Sequence, residues 1–308
     1  MDWSLFWDLT VSGVTLGSIY ALIALGYTMV YGILRLLNFA HGDVYMIGAF
    51  LGWFALQWFG GPIDPVAPVA VVLIGMFLVA MLGCGFLGVV IERFAYRPLR
   101  NAPRIAPLIS ALGVSFFLQN SALILFGPEF RDYGTFDLIG TKTFQIGDIF
   151  LSVPQLLTIT SSIGLMVVLT LLVARTRIGK AMRATSFDRE AAAMMGIDVD
   201  RVISTTFFIG SALAGAAGVM FGLVFGQIFH FMGFLAGLKG FTAAVIGGIG
   251  SIPGAMLGGY LVGLLESYAT GYLPQGSTFR DLYTFAVLII IILVRPSGLL
   301  GKADVQKI

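Results

Sequence analysis

The chain has 308 residues, of which 58% are hydrophobic and only 11% are charged. Soluble domains carry about 25% charged residues, so this composition excludes an ordinary soluble protein and indicates many membrane spans. The formal net charge of +2 gives no sign of a nucleic-acid partner, and the single cysteine, Cys84, excludes a disulfide framework.

Apolar stretches long enough to cross about 30 Å of hydrocarbon recur along the chain. We predict about eight spans, at residues 9–34, 44–63, 65–91, 105–128, 149–174, 202–238, 240–265 and 282–294. The third span is entered through Pro62, Pro65 and Pro68. The pattern therefore predicts an all-α polytopic membrane protein in which residues 1–308 form one transmembrane domain.

Two of these spans are not expected to be plain helices of normal length. Residues 247–259 read GGIGSIPGAMLGG, which predicts a break with a short half-span before it and a fuller helix after it. The last run, 282–294, is short for the hydrocarbon. Three explanations stay open: it takes in residues from 272–279, it carries Arg280 and Arg295 to the interface, or it lies beside a thinner region.

The distribution of Lys and Arg predicts which loops lie in the cytoplasm. Loops 92–104 and 175–201 and the C-terminal tail are placed inside, which leaves the N-terminus and the loop 127–152 outside. Arg35 falls on the inner side by counting spans. The other Lys and Arg residues placed on the cytoplasmic side are Arg93, Arg97, Arg100, Arg104, Arg175, Arg177, Lys180, Arg183, Arg189, Arg201, Arg295, Lys302 and Lys307. The Lys and Arg residues placed elsewhere are Arg131, Lys142, Lys239 and Arg280.

The longest well-charged segment, residues 179–201, is predicted to be a cytoplasmic loop that holds a short helix; we call it the coupling segment. Thr185 or Ser186 is placed to cap the helix, and Asp188 follows Thr185 at the capping-box spacing. Residues 190–195 are good helix formers, and Gly196 is a natural stop. A water-facing helix between uncharged spans predicts a docking site for a partner, although a merely solvated loop helix shows the same pattern.

Asn38, His41 and Asp43 lie at the junction of the first two spans. An ionisable cluster near the membrane indicates function, but a polar turn that caps the second span explains it equally well. We do not expect a metal site, since His230 is the only other histidine.

A second group of polar residues interrupts the fourth span: Ser110, Ser115, Gln119 and Asn120. These side chains need hydrogen-bond partners in an apolar surrounding. They either line a polar path or bond a neighbouring helix. Glu266 ends an apolar run, and a position at the membrane interface is expected for it.

Five pairs of glycines have the GxxxG spacing. Such pairs serve contacts with another subunit or close packing within one chain, and their number favours packing within the chain for most of them. The pairs are Gly13/Gly17, Gly48/Gly52, Gly222/Gly226, Gly254/Gly258 and Gly259/Gly263.

Enzymatic motifs are missing from the sequence. No GxxxxGK[ST] occurs, because Gly179-Lys180 is followed by Ala181 and Gly301-Lys302 by Ala303, so the chain has no P-loop for ATP. HExxH, GxSxG and paired-cysteine motifs are also absent. We therefore expect a protein that is not an enzyme and that holds no cofactor or metal itself.

Several motifs are similar to those of ABC-importer permeases. Glu190-Ala191-Ala192, with Gly196 six residues after the glutamate, resembles the EAA loop, the cytoplasmic helix that seats in a cleft of the ATPase in that family. More specifically, five segments resemble the permease of branched-chain amino acid importers, the H-type subunit of Liv systems. They are GYTMVYGILRLLNFAHGDVYMIGAF (26–50), IERFAYRPLR (91–100), ISALGVSFFLQN (109–120), MMGIDVDRVI (194–203) and FTAAVIGGIGSIPGAMLGG (241–259).

The resemblance implies the ABC-importer permease fold and a bacterial inner-membrane protein that imports branched-chain or other hydrophobic and neutral amino acids by alternating access. The partners it implies are a second, M-type permease, two ATPase subunits that bind ATP and Mg, and an external amino-acid-binding protein. The residues it implies for coupling to the ATPases are Arg183, Asp188, Arg189, Glu190, Ala191, Ala192, Gly196 and Ile197. The four charged ones are expected to form a polar face for the cleft, and Met194, Met195 and Ile197 an adaptable apolar contact.

A hydrophobic amino acid needs few strong polar contacts on its way, so we expect a largely apolar path, with specificity residing mainly in the binding protein. The competing function is a self-sufficient, proton-coupled secondary transporter that uses Asp43, His41 or Glu266. Candidates for the translocation path are Asn38, His41, Asp43, Ser110, Gln119, Asn120, Thr242, Gly247 and Gly248.

Overall fold

The structure is a computed structural model that describes residues 3–63, 67–100, 102–103, 105–140, 143–147 and 149–301, without the side chains of Phe136 and Ile146. Pro65, Arg104, Lys142, Lys302 and Lys307, which entered the predictions above, lie outside these ranges. The described helices are α1 (Trp3–Leu34), α2 (His41–Trp58), α3 (Val69–Ile91), α4 (Ile105–Phe126), α5 (Thr135–Ile139), α6 (Val153–Arg175), α7 (Arg177–Phe187), α8 (Arg189–Met194), α9 (Val199–Phe225), α10 (Met232–Gly247), α11 (Ile252–Tyr272) and α12 (Gly276–Val294). Four short strands accompany them: β1 (Arg131–Asp132), β2 (Thr143–Ile146), β3 (Ile149–Ser152) and β4 (Gln227–Ile228).

Six of these helices are long and apolar enough to cross a membrane: α1, α3 with the π and 3₁₀ turns that extend it to Leu99, α4, α6, α9 and α12. Two more, α2 with 18 residues and α11 with 21, pack within the same bundle, and α10 is a shorter apolar helix. The prediction of an all-α polytopic membrane protein is confirmed for the described ranges. The number of spans is approximate, with six helices that meet the requirements of a span and two further long helices, α2 and α11, beside them.

The sixth span, which was predicted to lie within residues 202 to about 238, is α9, and it ends well before the apolar stretch does. α9 ends at Phe225, Gly226 takes a left-handed conformation with φ 75°, and β4 follows in an antiparallel pair with β1. The chain becomes helical again only at Met232, the first residue of α10. Glycine adopts a left-handed backbone at little cost, and apolar residues on both sides of it hide such a turn from hydropathy.

The predicted break in the glycine-rich segment is confirmed. Between α10 and α11, Gly248 and Gly250 have φ values of 106° and 91°, which glycine tolerates best. Ser251 then caps α11, and Pro253 lies in its first turn. The helix before the break has 16 residues and the one after it has 21, in the predicted order of length.

The first and last spans are longer than predicted. α1 begins at Trp3, and α12 begins at Gly276, so the last span reaches 19 residues by taking in the residues before 282. This is the first of the three explanations left open, and 19 residues is close to the length of about 20 that a span requires.

α1 lies at the centre of the bundle, where it packs against α11, α9, α10 and α6. A Cβ atom added to Gly17 would lie 2.7 Å from the Cα of Tyr260, and one added to Gly259 would lie 2.5 Å from the Cβ of Ala21. Backbones approach this closely only where a side chain is a single hydrogen. The interpretation of the glycine pairs as packing sites within the chain is therefore supported along α1 and α11.

The loops gather at the two ends of α9. At its start, Asp200 bonds Arg97 and Arg100 of the turns that follow α3. At its end, the Tyr133 N–H donates to the Gly226 carbonyl at 2.7 Å. The described part of the tail lies at the first end too: the Leu299 N–H donates to the Ile246 carbonyl at 2.9 Å, beside the break after α10, and Gly250 and Ile252 of that break lie next to α7. The most basic loops therefore share one end, as their charge predicted, and the loop 127–152 lies at the other.

Gly259→Ala is expected to lower the melting temperature of the purified protein in detergent, because the new methyl group overlaps α1 and such overpacking costs about 1–3 kcal/mol. Gly164→Ala is the matched control, since a Cβ at Gly164 in α6 meets nothing within 4 Å. The control should be neutral or slightly stabilising, because alanine is the better helix former. Equal melting temperatures for the two variants would contradict the packing described here.

Candidate functional site

The coupling segment folds as two helices rather than one. Thr176 caps α7, and the Asp188 carboxylate accepts from the Ala191 N–H at 3.0 Å and caps α8. The prediction that Thr185 or Ser186 caps the helix is wrong, because α7 continues through both residues and Thr185 is buried. The backbone becomes extended only at Asp188 (φ −153°, ψ 118°), so the cap forms there.

The predicted stop at Gly196 is confirmed. Its φ of 80° lies in the left-handed region, which ends α8. Asp198 then caps α9 by accepting from the Arg201 N–H at 3.0 Å. Only a short connection therefore separates α8 from a membrane-spanning helix, which limits how far the two can move independently.

Two arginines tie the coupling segment to the ends of other spans. The Arg189 guanidinium donates to the Ile33 carbonyl through Nη2 at 2.7 Å and Nε at 3.2 Å, at the end of α1. Arg183 donates to the Val173 carbonyl near the end of α6. The last carbonyls of a helix have no partner within it, so these bonds satisfy groups that would otherwise need water.

The surroundings of Arg189 are strongly cationic. Partial burial, followed by the neighbouring Arg100 and Arg35, holds the pKa of Arg189 below its ordinary value. At the end of α1, Arg189 bonds the carbonyl of Ile33.

The exposed surface of α8 and its C-terminal end combines charged and apolar side chains. Arg183, Asp188 and Arg189 are engaged in the intrachain bonds above, so Glu190 is the one of the four predicted charged residues with no such bond among the described residues. Met194 and Met195 are each 82% exposed beside it. Of the remaining coupling candidates, Ala192 is buried, Ala191 and Ile197 are half-buried, and Gly196 is exposed.

A charged network joins α3 to the start of α9. Arg100 bonds both Glu92 and Asp200, and Arg97 bonds Asp200 as well. The buried Glu92 carboxylate also accepts from the Ser204 hydroxyl at 2.7 Å. This network connects the segment IERFAYRPLR to the helix that immediately follows the coupling segment.

Among the path candidates, Asp43 lies in a buried polar cluster. Its carboxylate accepts from the Ser115 hydroxyl at 2.5 Å and from the Gln119 amide at 3.0 Å, which joins α2 to α4. Asn38 accepts from the Tyr96 hydroxyl at 3.1 Å. His41 is 1% exposed, with its ring edge-on to that of Tyr27 at 4.9 Å between centroids.

The other path candidates lie apart from this cluster. Ser110 donates to the Ala95 carbonyl at 3.0 Å, and Asn120 is exposed and donates to its own helix at Phe116. Thr242 is buried in α10 and donates to the Leu238 carbonyl. Gly247 and Gly248 lie at the break, close to Gly254 and Gly301 respectively. The nine candidates thus do not line one continuous surface, and their role in a path stays a prediction.

The sequence analysis missed a buried cluster of charges. Lys239 in α10, which is 4% exposed, lies 2.8 Å from the Glu266 carboxylate in α11 and 2.7 Å from Asp281 in α12. The Tyr20 hydroxyl of α1 donates to Glu266 at 3.0 Å, and Arg280 lies 3.8 Å away from it. Glu266 does not end the helix, because α11 continues six residues beyond it, and it is 2% exposed among its neighbours; its interfacial position stays a prediction. The sequence did contain a signal for this cluster, because Lys239 and Glu266 stand directly before and after the uncharged run 240–265.

No group of three or more His, Cys, Asp or Glu side chains that suits a metal ion occurs within the described ranges.

The structure is a bundle of apolar helices with a broken segment, polar clusters in its interior and short helices at one end. This is the architecture of a multi-pass membrane transport protein of the permease class. The chain belongs to the family of branched-chain amino acid transport system permease components, whose model matches residues 9–294. This membership confirms the resemblance found in the sequence, and it identifies the chain as a transport subunit.

Individual relatives agree with the family. The chain is 42% identical to the high-affinity branched-chain amino acid transport system permease protein BraD of Pseudomonas aeruginosa, over 97% of this chain and 96% of that one. It is 43% identical to LivH of Escherichia coli K12, with 96% of each chain covered. A solved structure, PsaBC from Streptococcus pneumoniae in complex with Fab, aligns with a TM-score of 0.47 at 14% identity over 93% of this chain and 91% of its own, a likeness too weak to carry an argument.

Lys239→Met is expected to lower the free energy of unfolding, because it leaves the buried Glu266 without its nearest cation; breaking a buried pair costs about 3–5 kcal/mol. Lys239→Met combined with Glu266→Gln should recover much of the loss, since Glu266 is then uncharged and Asp281, whose side chain is 36% exposed, still has Arg280 at 3.7 Å. Arg280→Gln is the control, because Arg280 is 54% exposed and such pairs contribute about 0–1 kcal/mol. Thermal unfolding in detergent checks the order, and a double variant no more stable than the single one would contradict it.

Proposed function

We propose that this chain is the permease subunit of an ATP-driven ABC importer in a bacterial inner membrane. Its substrates are branched-chain or other hydrophobic and neutral amino acids, and transport proceeds by alternating access. The names of BraD and LivH, which describe branched-chain amino acid transport, support the substrate class. The observation that carries the mechanism is the exposed tip of α8, whose helix is bonded to the end of a central span.

The proposal places the coupling segment in the cytoplasm. The shared position of the basic loops at one end of α9 supports this orientation, because cytoplasmic loops are enriched in Lys and Arg. The loop 127–152 then lies outside. Its contacts with α2, including the Trp53 indole donating to the Asp132 carbonyl at 2.9 Å, hold it against the bundle.

The partners are a second, M-type permease, two ATPase subunits that bind ATP and Mg, and an external amino-acid-binding protein. ATP has to act in separate subunits, since this sequence has no P-loop motif. The exposed Met194 and Met195 suit an adaptable contact with the cleft of an ATPase, and Glu190 adds one charged group beside them.

Force from the ATPases would reach the spans through three connections. Arg189 connects the coupling segment to α1, Arg183 connects it to α6, and the short turn at Gly196 connects it to α9. The network of Arg100, Glu92 and Asp200 extends the connection to α3. A displacement of α8 therefore acts on several spans together, which is what a rigid-body step between two access states requires.

The alternative, a proton-coupled secondary transporter, is less well supported by the charged residues. Glu266 is paired with Lys239, and Asp43 accepts two hydrogen bonds, so each carboxylate has partners for its charged form. Uptake that is abolished by an uncoupler but unaffected by loss of the ATPases would favour the alternative.

Glu190→Lys combined with Gly196→Trp is expected to lower recovery of an ATPase subunit in a pull-down with this chain. The lysine reverses the exposed charge on α8, and the tryptophan cannot follow the left-handed backbone that ends the helix. Lys180→Glu on the exposed part of α7 is a matched charge reversal and should leave recovery close to the wild-type level. Equal recovery from the double variant and the wild type would refute the docking assignment.

Replacing the external binding protein by a relative of different specificity is expected to change the set of amino acids that enter the cell. The physical reason is that a largely apolar path offers few directional contacts with which to distinguish one side chain from another. Competition for uptake of labelled leucine by the other neutral amino acids measures the change. An unaltered substrate set would place specificity in the permease.

A further inference from the structure

A cavity of about 120 Å³ opens beside the coupling segment. Four helices meet around it: α1 near its end, α6 near its end, α7, and α11 at its start. The lining residues that matter for its chemistry include Met29, Ile33, Val173, Met182, Arg183 and Ile252. Any molecule bound here would touch the coupling segment and two central spans at once.

The size and the walls of the cavity suit a short branched hydrocarbon. A cavity of about 150 Å³ lined by apolar side chains holds one benzene molecule, with six carbon atoms. By that measure a cavity of about 120 Å³ accommodates four or five carbons. Met29, Ile33, Val173 and Ile252 supply aliphatic walls, and the buried Met182 can adjust to the shape of the ligand.

One end of the cavity is positively polarised. Arg183 uses Nη1 to donate to the Val173 carbonyl, and a guanidinium carries five N–H groups, so others remain for a carboxylate. α11 begins at Ile252 on the same wall, and the start of a 21-residue helix adds partial positive charge. None of the residues that line the cavity is acidic.

Thr28 lies in the α1 wall of the cavity. It is 1% exposed, and its hydroxyl is closed to solvent and in no hydrogen bond among the described residues. The polar contacts that the cavity offers to a ligand are therefore those of Arg183 and the start of α11.

We propose that this cavity binds a small branched aliphatic carboxylate, an amino acid or the corresponding 2-oxo acid, from the cytoplasm. Such a ligand bonds Arg183 and the start of α11 through its carboxylate and fills the aliphatic walls with its side chain. It joins α7 to α1 and α11, holds the coupling segment in the position described here, and slows further import when the internal concentration is high. The cytoplasmic source and the effect on import rest on the proposed function; the ligand chemistry does not.

Binding is tested on the complete transporter in lipid nanodiscs, without the binding protein, by equilibrium dialysis with radiolabelled leucine. Wild type is expected to bind leucine saturably. Ile252→Phe, which fills the cavity, should weaken binding at least tenfold, and Leu257→Phe, at a position 43% exposed on the same helix, should not.

Competition distinguishes the two proposed ligands, the amino acid and the 2-oxo acid. Displacement of labelled leucine by 4-methyl-2-oxopentanoate as well as by leucine shows that the site recognises the carboxylate and the side chain. Displacement by leucine alone assigns the site to the amino acid. Absence of saturable wild-type binding of labelled leucine and, in a parallel dialysis, of labelled 4-methyl-2-oxopentanoate would overturn the proposed site, as would equal binding by Ile252→Phe and wild type.

The effect on transport is measured in proteoliposomes preloaded with leucine, with binding protein and labelled substrate outside. Preloading is expected to slow initial uptake at least twofold in wild type and Leu257→Phe but not in Ile252→Phe. Saturable binding that leaves uptake unchanged would overturn the regulatory part. If the proposed function is wrong, wild type without preloading shows no ATP-dependent uptake. This outcome is independent of the binding measured by dialysis.

Discussion

The close approach of α1 to α11 is the contact on which the rest of the bundle depends. The glycines of the two helices let the backbones meet without intervening side chains, and α9, α10 and α6 pack around the pair. In lipid there is no hydrophobic driving force between apolar helices, so such dense packing has to supply the association. α1 is consequently buried along most of its length, and its end becomes a fixed point to which other elements attach.

The coupling segment uses that fixed point. Arg189 bonds a carbonyl at the end of α1, and the helix α8 that carries it presents two exposed methionines to the surroundings. Firm attachment and an adaptable outer surface have different physical origins, since the first rests on directional hydrogen bonds and the second on flexible thioether side chains. Together they suit a segment that takes up motion from a partner and passes it to spans. The cavity beside it lies where a small molecule would affect the same transmission.

Polar groups inside the bundle are paired across helices. Asp43 joins α2 to α4, Glu92 takes part in joining α3 to α9, and Lys239 joins α10, α11 and α12. Charged groups in an apolar interior are costly unless such partners surround them. The first two clusters lie on different helices from the glycine contacts, and the third attaches α10 and α12 to Glu266 of α11, so the clusters supplement the packing by fixing which helices are neighbours.

The sequence by itself determined the class of the protein, about eight spans, the break after Gly247, the stop at Gly196 and the position of the basic loops along the chain. Each follows from local chemistry: hydrophobic length, the backbone freedom of glycine and charge distribution. Only the tertiary structure decided that Asp188 is the cap of α8, that the predicted sixth span ends at Phe225, and that Arg183 and Arg189 bond their own chain. It also decided that Lys239, Glu266 and Asp281 form one cluster. Partners of this kind lie as much as 246 residues apart, as Tyr20 and Glu266 do, and no local pattern encodes which distant carbonyl or carboxylate a side chain will meet once the helices have packed.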